Sequence, residues 1–311
     1  SMPEVHVAMA RWNRMSGFPK EELKALAYAD RFFTETDLRE GLSIKRLKRY
    51  IASLVRYGEL LYDAGWPLDA EDALNNAVER YEKALRSKQL HKSVQYGKMY
   101  ALLADIYFFE RQDFSGALLK YANAESNEYV TPATDYRRGY IHFLSSGTEG
   151  SEALKFFYRA GLDTEATPYL TWATANALYS REDYFAAQGY YTMLAERLQF
   201  ELDTLPLPSP QARPSHGEIV ELLMMTRNNL GVSLYRIAER MGDVRRRAEA
   251  MVELTESARL FDSLSRDQTT MIRSDSKNLG FLNLDFILHP MRGIDLAVYK
   301  QLPPSMDYPR K

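Results

Sequence analysis

A recurring triplet constrains this chain more than any other feature. An alanine is followed four residues on by an aromatic, and three beyond that by a second small or apolar residue. It occurs as Ala77, Tyr81 and Ala84, as Ala117, Tyr121 and Ala124, and as Ala153, Phe157 and Ala160. A fourth copy reads Ala187, Tyr191 and Leu194, and a weaker fifth reads Ala250, Leu254 and Ser257. Residues spaced by four and three share one face of a helix. Alanines on that face let two helix backbones approach closely, and the aromatic between them fills the gap beyond.

Each triplet follows a stretch with its own small residue: Gly58, Ala104, Gly139, Ala175 and Gly231. Thr167 to Leu194, TPYLTWATANALYSREDYFAAQGYYTML, holds one complete unit. Thr167-Pro168 reads as a helix start, a hydroxyl cap followed by a residue with no amide to lose. Leu178, a polar turn at Arg181-Glu182-Asp183, and Tyr184 lead into the second helix. From small residue to first alanine the five copies span 19, 13, 14, 12 and 19 residues. Relative to the fourth copy, the first and fifth carry seven extra, about two helical turns. That length preserves side-chain phase, so longer helices in both copies are expected.

Helix–turn–helix units with these spacings resemble the tetratricopeptide repeat (TPR). Five degenerate copies over residues 46–261 identify the chain as a member of that family. The resemblance implies an all-α fold, a TPR superhelix (α-solenoid) of antiparallel helix pairs with atypical ends. It also implies that the first helices line a concave groove. Residues 1–45, with Leu23, Leu26, Ala27 and Phe33 at helical spacing, are expected as an N-terminal helical cap or partial repeat. A loop is expected at about 202–215, where Pro206, Pro208, Pro210 and Pro214 remove donors, followed by a capping box from Ser215 to Glu218. Residues 262–311 are expected as a C-terminal capping helix around Leu279-Gly280, ended by Pro290, with an extended tail from Tyr299.

Composition narrows the function. A net charge of −2 argues against a general binder of nucleic acid or anionic membrane. The absence of cysteine excludes disulfides and thiolate metal sites. No apolar run approaches the roughly 20 residues that span a bilayer. The start, SMPEVHVAMARW, lacks a signal-peptide profile, and Ser1-Met2 has the look of a cloning remnant. His6, His91, His142, His216 and His289 form no metal-ligand pair. There is no phosphate-cradling glycine loop and no nucleophile elbow; Gly147 and Gly150 belong to a turn. No catalytic residue, cofactor or metal is expected, and the chain reads as a non-enzyme. The basic runs Lys45-Arg46, Lys48-Arg49 and Arg245-Arg246-Arg247 lack interleaved aromatics and read as solvated helix faces.

The candidate binding feature is a stripe. Four residues after each small residue stand Tyr62, Phe108, Phe143, Tyr179 and Tyr235. With aromatics at 12%, composition alone would place fewer than one there. The positions three before and one after lie on the same face and add Tyr136 and Tyr140 in the third copy, Trp172 and Asn176 in the fourth. Aromatic faces suit protein interfaces. The same residues can equally pack inside their own repeats, and both readings stay open. TPR modules that grip acidic chaperone tails use Lys, Asn and Arg on this face. Here Val55, Glu59, Ala101 and Asp105 stand at matching positions and only Asn176 fits, which argues against that role.

The run NNLGVSLYRIAERMGD, then LTESARLFDSLSRD and NLGFLNLDFILHP, is similar to large TPR proteins of spirochaetes, some of which form the collar around the periplasmic flagellar motor. That resemblance implies a periplasmic scaffold that assembles with other subunits; without it a cytoplasmic location is expected. The expected function is a non-enzymatic scaffold or adaptor that binds protein or peptide segments, with self-association in an assembly. A peptide-sensing regulator and a regulatory fragment of a larger enzyme are the alternatives. Neither nucleic acid nor membrane insertion is expected.

Overall fold

The computed structural model describes residues 2–145, 150–162, 167–204, 216–266, 277–290 and 295–306. The described residues form thirteen helices and no strand. They fall into two compact units, Ser1–Thr131 and Pro132–Lys311. In the first, α1 (Met2–Met15) and α2 (Pro19–Glu40) precede two hairpins. These are α3 (Ile44–Asp63) with α4 (Pro67–Arg86), and α5 (Val94–Phe109) with α6 (Phe114–Ser126). In the second, α7 (Pro132–Ser145) pairs with α8 (Ser151–Ala160), α9 (Pro168–Ser180) with α10 (Tyr184–Thr204), and α11 (His216–Met241) with α12 (Val244–Arg266). Helix α13 (Leu279–Leu288) packs on α12. All five expected copies are helix hairpins, and each unit stacks them as an all-α TPR array.

The triplets do what their spacing predicts. Tyr81, Tyr121, Phe157 and Tyr191 are buried, as are the small or apolar residues that flank them in each triplet. A buried phenol needs a partner, and each tyrosine has one: Tyr81 donates to Asn127 Oδ1 at 2.5 Å, Tyr121 to Asp105 at 2.7 Å, and Tyr191 to Asn176 Oδ1 at 2.8 Å. The small residues mark backbone approach. A Cβ on Gly139 would lie 2.5 Å from the Phe157 ring and 3.2 Å from the Ala153 carbonyl oxygen.

One register differs from the sequence expectation. Gly58 faces Ala70 and Leu74, not Ala77: its Cβ would lie 2.6 Å from Leu74 Cγ and 3.2 Å from the Ala70 oxygen. The first copy therefore has the 12-residue spacing of the fourth, and α4 simply repeats the small–large–small pattern, first on 70, 74 and 77 and then on 77, 81 and 84. In the fifth copy the helices are longer, as expected. Gly231 meets Ala250 and Leu254, and α11 runs on to Met241.

The hairpins turn on residues with left-handed backbone: Gly65, Gln112, Glu182 and Gly242. Side-chain caps open the next helices. Asp113 accepts from Gly116 N, Asp183 from Ala186 N, and Thr167 from Leu170 N. The proline-rich loop and Ser215 lie outside the described residues.

Candidate functional site in the groove of residues 132–306

Helices α7, α9, α11 and α13 present one face to an extended segment, residues 295–306, which has no helix or strand of its own. The position three before the small residue carries the contact in three successive copies. Tyr136 Oη donates to the Pro303 carbonyl at 2.8 Å, Trp172 Nε1 to Gln301 at 2.9 Å, and Asn228 Nδ2 to Ala297 at 3.1 Å. Two asparagines pair with main chain in both directions. Asn229 Nδ2 donates to the Tyr299 carbonyl at 2.8 Å while its Oδ1 accepts from Tyr299 N at 2.9 Å. Asn283 does the same with Ala297, at 2.7 and 2.8 Å. The Thr167 hydroxyl, already capping α9, donates to the Met306 carbonyl.

The carbonyls of 297, 299, 301 and 303 are thus held at two-residue intervals, which is how one edge of an extended chain presents itself. Side-chain amides stand where a neighbouring strand would be. Tryptophan can only donate, and at Pro303 no backbone N–H asks for an acceptor. Leu296, Tyr299, Leu302 and Met306 supply the apolar side and are buried.

A second layer orients these amides. Asn176 Oδ1 accepts from Tyr191 and from Asn229 Nδ2 at 3.0 Å, and Asn283 Nδ2 reaches Asn228 Oδ1 at 2.9 Å. The three asparagines 228, 229 and 283 are at most 1% exposed. Burial raises the Tyr136 hydroxyl well above its ordinary pKa, so it stays protonated as the donor the Pro303 carbonyl needs. At the other end Asp295 pairs with Arg236. Burial pushes the Asp295 carboxyl up, but the Arg236 hydrogen bond, the Leu296 backbone N–H and the Arg236 charge outweigh it and hold the group below its usual value. Tyr179 joins this pair, its hydroxyl pushed up to about 12 by burial against the opposing pull of Arg236.

The expected stripe residues divide. Tyr136, Trp172 and Asn176 stand at the groove, the first two against segment 295–306 and the third holding Asn229. Tyr140, Phe143 and Tyr179 are half-buried and pack on the same core, which includes Tyr235. Phe108 and Tyr179 also lean across their own turns, 5.6 Å from Phe114 and 5.1 Å from Tyr184 between ring centroids. Tyr62, half-buried in the first unit, hydrogen-bonds Glu110 at 3.5 Å.

Sequence reasoning missed Asn228, Asn229 and Asn283. A signal for the first existed: Asn228 stands three before Gly231, the position that holds Tyr136 and Trp172 in their copies. Two successive asparagines inside a helix also sacrifice propensity, which calls for a compensating contact.

The basic runs behave differently from one another. Arg245 pairs with Glu249 and Arg246 with Asp243, while Arg247 lies over the Tyr235 ring. Lys48 and Arg49 join Arg11 and Arg14 around a cleft of about 290 Å³ between α1, α2 and α3. Among the described residues no cluster of His, Asp or Glu is arranged to hold a metal, and no helix is long and apolar enough to cross a membrane.

No family model matches the sequence, and no curated protein does. Among solved structures the chain is similar to MamA, at 15% identity and a TM-score of 0.47, over 67% of this chain and 98% of that one. It is also similar to TPR-like repeats of a putative kinesin light chain from Podosopora anserina, at 13% and 0.30, over 85% and 97%. A third is the TPR2AB domain of yeast Sti1 in complex with pHSP90, at 16% and 0.29, over 85% and 92%. Likenesses at these values carry no argument about function. In three of the hairpins the small residue of the first helix, Gly58, Gly139 or Gly231, meets an alanine of its partner helix, and the fold is that of tetratricopeptide-repeat helix hairpins.

Proposed function

We propose that this protein is a non-enzymatic interaction scaffold whose 132–306 groove holds an extended polypeptide segment by its main chain. The observation that carries the reading is the ladder of donors at Tyr136, Trp172, Asn228 and Asn229. Backbone recognition supplies affinity without regard to sequence, and the apolar pockets beside it supply selectivity. Panning a library of random twelve-residue peptides on the intact chain tests this. Enrichment of uncharged sequences with apolar residues three apart is expected, and Asn229→Ala should remove it while the helical circular dichroism persists. Enrichment that survives Asn229→Ala would move the interface away from the groove.

The narrower reading, a periplasmic subunit of a spirochaete flagellar motor collar, is supported by the sequence resemblance of residues 228–290. Its test is electron cryotomography of motors in a strain lacking the gene: collar density should be lost, and an intact collar rejects the assignment.

A further inference from the structure

The groove is occupied by the chain's own residues. We propose that segment 295–306 is a resident self-ligand, an intramolecular competitor that a partner's segment of the same pattern displaces. The inference rests on the groove reading above. The partner's segment would be extended, with Leu-x2-Tyr-x2-Leu-Pro spacing, so that apolar residues fill the places of Leu296, Tyr299 and Leu302 and a proline sits over Tyr136.

Three observations separate a self-ligand from a permanent piece of core. First, the groove contacts five main-chain positions with polar side chains. A face built only for packing would be apolar, because each buried polar group must find a match. Here the match is mostly main chain, which any extended segment brings; the segment's own polar side chains add Tyr299, whose hydroxyl donates to the Lys277 carbonyl, and Asp295, which pairs with Arg236. Second, the segment's recognisable features are few. Leu296, Tyr299, Leu302 and Met306 are buried, whereas Asp295, Lys300, Gln301 and Pro304 are exposed. Third, the hairpins have packing of their own beside the segment: Gly139 meets Ala153 and Phe157, Gly231 meets Ala250 and Leu254, and α8 packs directly on α9 and α10 on α11. Tethering gives the segment an effective concentration of the order of millimolar, so a partner arriving in solution meets an already filled site.

The probe is a fluorescent peptide with the sequence of residues 295–306, titrated by anisotropy onto the intact chain and onto the chain carrying Leu296→Ala and Leu302→Ala in its own tail. The variant should bind the peptide at least about tenfold more tightly, since weakening the resident raises the fraction of open sites. Adding Asn229→Ala should abolish that binding. Equal affinity for intact chain and tail variant would overturn the competition and leave the groove reading standing. No binding to a tail variant of unchanged helicity would overturn both. A second measurement needs no weakened tail. The chain has no cysteine, so Lys300→Cys can carry a single fluorophore. Excess unlabelled peptide should lower its anisotropy as the tail leaves, and a constant signal at saturating peptide rejects displacement.

Discussion

Asn229 concentrates the groove's chemistry in one side chain. Its amide satisfies both backbone groups of Tyr299 and donates to Asn176 Oδ1. Asn229→Ala leaves the Tyr299 N–H and carbonyl unmatched in a buried place, and a loss of about 2–4 kcal/mol in denaturant unfolding is expected. Trp172 is fully buried. Trp172→Ala removes a large core side chain as well as the Gln301 contact, and should cost about 3–5 kcal/mol. Tyr140→Ala, half-buried, should cost less in the same assay. Asp295 makes tail docking sensitive to acid. Its docked pKa lies below the free value of about 3.9, so the contact contributes fully above that value and is lost as pH falls through the lower docked one. With the Lys300→Cys label, anisotropy should drop below about pH 4, and Asp295→Asn should remove that step.

Helices here are positioned by which small residues face backbone. Gly280 brings α13 onto α12, where a Cβ would lie 2.7 Å from both Ala258 N and the Leu254 oxygen. Backbone atoms cannot swing aside as a side chain does, so Gly280→Ala should destabilise the second unit by about 1–3 kcal/mol. Gly189 on α10 is the control, with nothing within 4 Å of its added Cβ. There alanine should stabilise by up to about 1 kcal/mol through helix propensity. Thermal melts of the two variants should therefore move in opposite directions. At this scale much was legible. Ala-x3-aromatic-x2-Ala is a local period, and a local period is what a helix face records. The register error in the first copy has the same origin: α4 repeats its pattern, and only the partner helix selects Ala70 over Ala77.

Across the second unit, the segment 295–306 ties α7, α9 and α11 together through contacts 69 to 167 residues apart in sequence. Lys300 is exposed but sits in a main chain held on both sides. Trypsin needs a mobile backbone, so cleavage after Lys300 should be slow in the intact chain. Asn229→Ala should accelerate it at least about tenfold, a rate readable by mass spectrometry; an unchanged rate would show that the asparagine does not hold the tail.

The sequence by itself determined the class of fold, the helix hairpins and the face on which aromatics gather, because each is written in spacings of three, four and seven residues. It also marked the end of the chain as extended, through Pro303 and Pro304. Where that end lies was decided only by tertiary structure. The groove's polar groups recognise carbonyls and amides that nearly every residue carries, so those main-chain contacts leave no pattern in the residues they hold. Its specificity depends on Tyr136, Trp172, Asn228, Asn229 and Asn283 meeting in space, and those five come from four helices.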